Sequence, residues 1–330
     1  MENIIEVNHL KKYFPIKQGV FSKVTGHVKA VDDVSFGIRR GEIFGLVGES
    51  GCGKSTTGKT ILRLLNATGG SVKFDGKTVF DADANFELPR AEMQAMRRNM
   101  QIIFQDPFAS LDPRKNVGYI VTEGILKHKL APSKKEALEM AAEMLTLCGI
   151  PTGALQKYPH EFSGGQRQRI GIARSLVLNP QFIIGDEPLA ALDASIQSQV
   201  LTLLQDLIAK LNLTTLFISH DLGVVKYFCD RIAVMYLGSF VEVGTSEQIF
   251  SHPQHPYTKA LISAIPCEMP EKKGSRIILA GDIPSPANPP SGCKFHTRCR
   301  YAVPACSEKA PEKRVLEQGH TVWCDLIGKA

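Results

Sequence analysis

Glu42-Ile43-Phe44-Gly45-Leu46-Val47-Gly48-Glu49-Ser50-Gly51-Cys52-Gly53-Lys54-Ser55 is the stretch that decides the fold. An apolar run of strand length feeds a glycine-rich turn, and helical spacing follows from about Ser55 to Leu65. The turn fits G-x-x-x-x-G-K-[ST]. Small residues let the backbone amides of Gly48 to Gly53 close on phosphate oxygens, Lys54 neutralises the outer phosphates, and the Ser55 hydroxyl ligates Mg²⁺. Thr56 continues the loop into the helix and belongs to the same nucleotide-binding set. A bland glycine-rich surface turn needs neither a buried strand before it nor a helix after it, and this one has both.

Outward from the turn, residues 4–7 and 28–38 read as strands, and residues 17–27 between them, KQGVFSKVTGH, as a polar hairpin loop. Gln101 to Phe104 reads as another strand. Ser133 and Glu136 then make a capping box before Leu138, Ala141, Ala142 and Leu145 at helical spacing, so a helical insertion interrupts the core. The α/β pattern resumes with a strand from Gln181 to Ile184, a helix near 194–211, a strand from Thr214 to Ile218, and strands near 231–236 and 239–243. Such alternation implies a largely parallel sheet covered by helices. From about Ser251 the texture changes, with Pro284, Pro286, Pro289 and Pro290 in quick succession, which places a boundary there and makes the tail a loop-rich unit.

Phe182-Ile183-Ile184-Gly185-Asp186-Glu187 is an apolar strand ending in two acids, of which Asp186 can hold the Mg²⁺ shell and Glu187 can polarise an attacking water. Phe162-Ser163-Gly164-Gly165-Gln166-Arg167-Gln168-Arg169 resembles the signature segment of ABC ATPases, with Phe162 where Leu is commonest. Further matches follow in the family's order: Gln105 resembles the Q-loop, Glu187 the end of the second Walker motif, Ala191-Leu192-Asp193 the D-loop and His220 the switch histidine. Ala190 stands where the family often has Ser. The resemblance covers residues 1–250 and implies an ABC-type P-loop NTPase with a helical subdomain at about 106–178. It assigns Ser163, Gly164, Gly165 and Gln166 to the γ-phosphate held by the opposite subunit, His220 to sensing that phosphate, and Gln105 to Mg²⁺ beside Ser55 and Asp186. Phe14, in Leu10-Lys11-Lys12-Tyr13-Phe14, resembles the aromatic that stacks on adenine, with Tyr13 its competitor. Because a site in that family combines one subunit's phosphate loop with another's signature, one copy of each motif implies that the chain pairs to hydrolyse ATP.

The tail narrows the resemblance. His255-Pro256-Tyr257-Thr258-Lys259-Ala260-Leu261, Gly281-Asp282-Ile283-Pro284-Ser285-Pro286 and Gly292-Cys293-Lys294-Phe295-His296-Thr297-Arg298-Cys299 are similar to the C-terminal extension of oligopeptide and dipeptide importer ATPases, most closely the F-type subunit. That family implies two membrane permease subunits, a second and non-identical ATPase, and an extracytoplasmic substrate-binding protein. It also implies a peripheral place on the cytoplasmic face of the inner membrane. Gln105 and the insertion near 106–165 would dock the permease coupling helices. Nickel and glutathione importers share much of this tail and remain alternative carriers of it.

Composition excludes other classes. Every apolar run is cut by charge or Pro well before the roughly 18 residues that cross a bilayer, and the start, MENIIEVNHLKKYF, lacks the features of a secretory signal. The net charge of +6 is dispersed rather than gathered in a stripe, so nucleic acid is not the favoured partner. A DNA-maintenance ATPase of the same type would place a long coiled coil between phosphate loop and signature, and the interval from Ser55 to Ser163 has no room for one. A nucleotide kinase would have no use for Ser163-Gly164-Gly165-Gln166 or His220. Of eight Cys, four crowd into the last forty residues as Cys293, Cys299, Cys306 and Cys324, spaced C-x₅-C-x₆-C-x₁₇-C. Four thiolates suit a [4Fe–4S] cluster or Zn²⁺. Zinc sites commonly use tight C-x₂₋₄-C pairs, absent here, so the spacing leans toward the cluster, and the resemblance implies the same.

Overall fold

The computed structural model describes residues 2–19, 22–265 and 276–327. In chain order the first elements are β1 (Asn3–Gln18), β2 (Lys23–Arg39), β3 (Ile43–Val47), α1 (Lys54–Ile61), β4 (Gly69–Phe74), β5 (Lys77–Asp81), β6 (Phe86–Glu87), α2 (Arg90–Asn99) and β7 (Met100–Ile103). A helical stretch follows: α3 (Pro107–Ser110), α4 (Val117–Lys127), α5 (Lys134–Leu147) and α6 (Gly164–Leu176). Next come β8 (Phe182–Asp186), α7 (Ala194–Leu211), β9 (Thr214–Ser219), α8 (Leu222–Phe228), β10 (Arg231–Tyr236), β11 (Ser239–Thr245) and α9 (Ser246–Ser251). The last are α10 (Pro256–Ser263), α11 (Ala305–Glu308), β12 (Lys313–Val315) and β13 (Thr321–Trp323). They form two compact units, Met1–Glu2, Arg39–Gly41 and Leu88–Ile218 in one, and Asn3–Ile38, Glu42–Glu87 and Ser219–Ala330 in the other.

In the first unit, β7, β8 and β9 run parallel, with Met100 opposite Phe182 and Ile184 opposite Leu216. All five residues of β8 are buried, which is why its sequence is continuously apolar rather than alternating. The insertion is helical, as its spacing predicts. Ser133 caps α5 by accepting from the Glu136 amide at 3.2 Å, and its hydroxyl donates to Glu136 Oε1 at 2.9 Å. Ala137, Ala141 and Leu145, four apart, form the buried stripe.

The second unit holds two sheets. One has the order β2-β1-β4-β5-β6. In the other, β3 lies parallel to β10, β10 is antiparallel to β11, and β13 from the chain's end adds to the free edge of β11, with Glu242 opposite Val322. The Pro-rich tail therefore belongs to the same compact unit as the phosphate loop. Phe295, 1% exposed, anchors it, its ring 5.3 Å from both Tyr236 and Tyr257.

Two readings of the sequence are corrected and one gap is filled. Residues 17–27 are mostly strand, β1 running on to Gln18 and β2 starting at Lys23, while Val20 and Phe21 lie outside the described residues. None of the described residues of this ribbon is buried, so apolar alternation is missing there and periodicity gives no signal. The helix after the phosphate loop ends at Ile61 rather than Leu65, since Arg63 turns left-handed at φ 52°. Strands β4 to β6 and helix α2, absent from the sequence reading, complete residues 69–99.

Candidate nucleotide site and cysteine cluster

The phosphate loop is built by close backbone approach. Gly48 takes φ 151°, and a Cβ there would stand 2.2 Å from the Met235 carbonyl oxygen. Gly53 takes φ 111°, and a Cβ would stand 2.1 Å from that of Ala30. Only glycine fits either position. Lys54 is buried, its ammonium donating to the carbonyls of Gly48 at 2.9 Å and Glu49 at 3.1 Å, while Ser50 and Gly51 are exposed at the tip. Ser55 and Thr56 lie half-buried in the first turn of α1, which carries no acidic residue. A helix N-terminus, a lysine and open loop amides together favour an anion. Cys52 is buried beneath the loop, and burial pushes its thiol up to about 11, so it stays a protonated packing residue.

Glu49 is tethered from outside the loop. Its amide donates to Tyr257 Oη at 3.0 Å, and its carboxylate accepts from both terminal nitrogens of Arg298, at 2.9 and 3.3 Å. Sequence reasoning missed both partners. The available signal was an acid inside an anion-binding loop, which needs a cation to hold it there.

Phe14 is half-buried with the Lys12 ammonium 4.8 Å over its ring. Tyr13 is engaged elsewhere. Its hydroxyl donates to Asp32, whose carboxylate also accepts from Lys294 at 2.8 Å, and burial together with that bond pushes the phenol up. His220 is exposed between β9 and α8.

The remaining candidates lie in the first unit. Asp186, 2% exposed, closes β8. Glu187 follows in a left-handed conformation, φ 48°, its amide donating to the Ile218 carbonyl at 3.0 Å. Gln105 Nε2 donates to Glu187 Oε2 at 3.2 Å, so these two are brought together. Ser163 is the N-cap of α6: its hydroxyl accepts from the Gln166 amide and the Gln166 side chain accepts from the Ser163 amide, a reciprocal capping box. Gly165 is required because a Cβ there would stand 2.4 Å from Ile196 Cγ2 on α7. Beyond the signature, Gln197 Nε2 donates to the Leu189 and Leu192 carbonyls at 3.0 Å each and holds Ala191-Leu192-Asp193 in place.

Cys293, Cys299, Cys306 and Cys324 line one small cavity in the tail together with His296. The Cys293 amide donates to the Cys306 carbonyl at 2.8 Å, and burial, with added repulsion from the other three, pushes the Cys293 thiol up to about 11. No group of three or more His, Cys, Asp or Glu among the described residues is disposed to hold a metal ion. His320, near enough in sequence to substitute for a cysteine ligand, is spent on Glu242 at 2.7 Å.

The family model of the ABC transporter matches residues 31–190, and that of the oligopeptide/dipeptide transporter C-terminal region matches residues 241–306. The chain is 49% identical over 329 residues to the oligopeptide transport ATP-binding protein AppF of Bacillus subtilis, covering 98% of each. It belongs to the ATP-binding subunits of the oligopeptide/dipeptide ABC transporter family. This ABC subunit is also 47% identical to the dipeptide transport ATP-binding protein DppF of Haemophilus influenzae, over 96% of its own length and 94% of the relative's. Among solved structures it resembles cbiO1 of Clostridium perfringens, part of the ABC transporter complex cbiONQ, with a TM-score of 0.62 at 27% identity, covering 76% of this chain and 92% of that one. A post-hydrolysis dimer of the ATP-binding cassette MJ0796 bound to ADP and Pi matches with a TM-score of 0.63 at 28% identity, over 73% of this chain and 98% of that one. The subunit is thus an ATPase of the ABC type, which works as a dimer with membrane permeases. Among the described residues no helix is long and apolar enough to cross a membrane.

Proposed function

We propose that the subunit binds and hydrolyses ATP at a site completed by a second, non-identical ATPase subunit, and that this drives import of di- or oligopeptides. The observation that carries the reading is Glu187. A non-glycine residue is held at φ 48° directly after a buried Asp186, with Gln105 on its carboxylate. Backbone strain of this kind persists where a side chain must be aimed.

In this reading the amides of Gly48 to Ser55, with Thr56, cradle the phosphates, and Lys54 exchanges the Gly48 and Glu49 carbonyls for phosphate oxygens. Ser55, Gln105 and Asp186 hold Mg²⁺, which when bound neutralises phosphate charge. Glu187 accepts a proton as water attacks the γ-phosphorus and the bond to the bridging oxygen breaks, leaving ADP. His220 senses the γ-phosphate, and Phe14 stacks on adenine. Ser163, Gly164, Gly165 and Gln166 present the α6 N-terminus to the γ-phosphate held by the partner subunit.

Residues 1–250 form the nucleotide-binding domain and 251–330 its extension. Cys293, Cys299, Cys306 and Cys324 hold a [4Fe–4S] cluster, with Zn²⁺ the competing occupant, and its role is to pin the extension. The shared cavity of the four thiols supports this reading. Two permease subunits dock over Gln105 and the helical insertion, where Phe108 is 58% exposed. An extracytoplasmic binding protein delivers the peptide, and the subunit sits on the cytoplasmic face of the inner membrane. Affinity purification of the tagged subunit from membranes tests the assembly. Recovery of two permeases and a distinct ATPase supports it, and recovery of soluble partners alone contradicts it.

A further inference from the structure

Besides the loop-internal bond from the Cys52 amide to its carbonyl at 3.3 Å, Glu49 is gripped at three points. Lys54 holds its carbonyl at 3.1 Å, Tyr257 Oη accepts from its amide at 3.0 Å, and Arg298 forks onto its carboxylate at 2.9 and 3.3 Å. Two of the three grips come from the C-terminal extension. Tyr257 is 0% exposed and the Arg298 side chain 8%, whereas the Glu49 side chain is 25% exposed. Both partners are themselves fixed. Tyr257 packs on Tyr236 at 4.8 Å and on Phe295 at 5.3 Å, and Arg298 lies 6.0 Å from the Tyr236 ring. Phe295 and Arg298 both stand between Cys293 and Cys299 in a turn closed by bonds from the His296 amide to the Cys293 carbonyl and from the Cys299 amide to the His296 carbonyl.

Lys54 is the grip that a triphosphate removes, because an ammonium that serves phosphate oxygens leaves the loop carbonyls. The extension then holds the Glu49 amide and carboxylate, while the Cys52 amide stays on its carbonyl. We propose that Tyr257 and Arg298 are positioning residues for the phosphate loop, through which the cysteine-bearing segment and nucleotide binding are coupled; this rests on reading residues 48–55 as the ATP site. The fork fixes the direction of the Glu49 side chain and the phenol fixes its amide plane, so the loop keeps its anion-binding shape when Lys54 moves. Coupling is reciprocal: bound nucleotide must tighten the segment from Cys293 to Cys299, and anything that displaces that segment must weaken nucleotide binding by the same factor.

The test uses the full chain, Mg²⁺ and a fluorescent ATP analogue. Arg298→Met and Glu49→Gln should each weaken affinity roughly tenfold, as loss of a charge-assisted pair does, and the double variant should be no weaker than either. Glu49→Gln leaves the extension's own sequence intact, so it carries the test if Arg298→Met does not fold. In the wild-type chain the nucleotide should slow amide hydrogen exchange across residues 293–299, and in Glu49→Gln that slowing should be lost even at saturating nucleotide. Unchanged affinity in Glu49→Gln, additive losses in the double variant, or exchange in 293–299 that ignores nucleotide in the wild type would each overturn the coupling. Lys54→Ala separates the two readings: if it binds as tightly as wild type, the ATP-site assignment itself fails.

Discussion

Lowering the pH from about 7.5 to about 5 should loosen the join between the extension and the sheet through one histidine. His255 is 1% exposed and is the N-cap of α10, its Nδ1 accepting from the Tyr257 amide at 3.1 Å. Its own amide donates to the buried Glu242 at 2.9 Å. Burial pushes the imidazole down from 6.5 to about 4, with Glu242 opposing the fall and Lys259 adding to it. Protonation at Nδ1 would also abolish the acceptor that caps the helix. The sign follows from which state binds the proton. Between about pH 6.5 and 4 the unfolded chain carries it and the folded one does not, so stability falls as pH falls through that window. At about 1.4 kcal/mol per pKa unit, the loss is about 2 kcal/mol by pH 5 and about 3 kcal/mol near pH 4. Urea unfolding of wild type and His255→Asn across this range measures it, since the Asn oxygen can accept the same N–H without titrating. The variant should lose less stability by about 2 kcal/mol at pH 5, and parallel curves would show that His255 does not carry the pH dependence.

Phe295→Ala should cost about 3–5 kcal/mol, read by urea unfolding, because it empties a site enclosed by Tyr236, Tyr257 and His255. Lys54→Ala should weaken ATP binding roughly 10- to 100-fold, whereas Ser163→Arg should leave binding within about twofold and block dimer closure, as equilibrium binding and light scattering would report. Protein purified without oxygen should be brown, with matched iron and acid-labile sulfide, and Cys299→Ser with Cys306→Ser should remove the colour; stoichiometric zinc without iron would reverse that assignment.

The nucleotide motifs were legible because each combines a local geometric demand with a residue type. Gly48 and Gly53 abut the carbonyls of Met235 and Ala30, so the loop's glycines mark a backbone contact that any reader of the sequence can infer. The capping box at Ser133 and the buried run of β8 announced themselves for the same reason: period and cap are local. The strand ends at residues 17–18 and 23–27 were illegible because none of these residues is buried, which leaves no alternation. The grip of Tyr257 and Arg298 on Glu49 was hidden for the opposite reason. It joins residues 208 and 249 positions apart, and such a pairing has no period. The packing of the tail was similarly understated: its polar composition reads as a loop-rich annexe, yet one phenylalanine and the short strand β13 tie it to the sheet.

ATP hydrolysis by this chain, as proposed, depends on Glu187 as the proton acceptor. The direct measurement is phosphate release under single-turnover conditions from Glu187→Gln paired with its natural partner subunit, followed at the site whose phosphate loop this chain supplies. ATP affinity should be retained while release slows by about 100-fold or more, the scale of a lost general base. Release within about twofold of wild type at that site would remove Glu187 from the role and contradict the account.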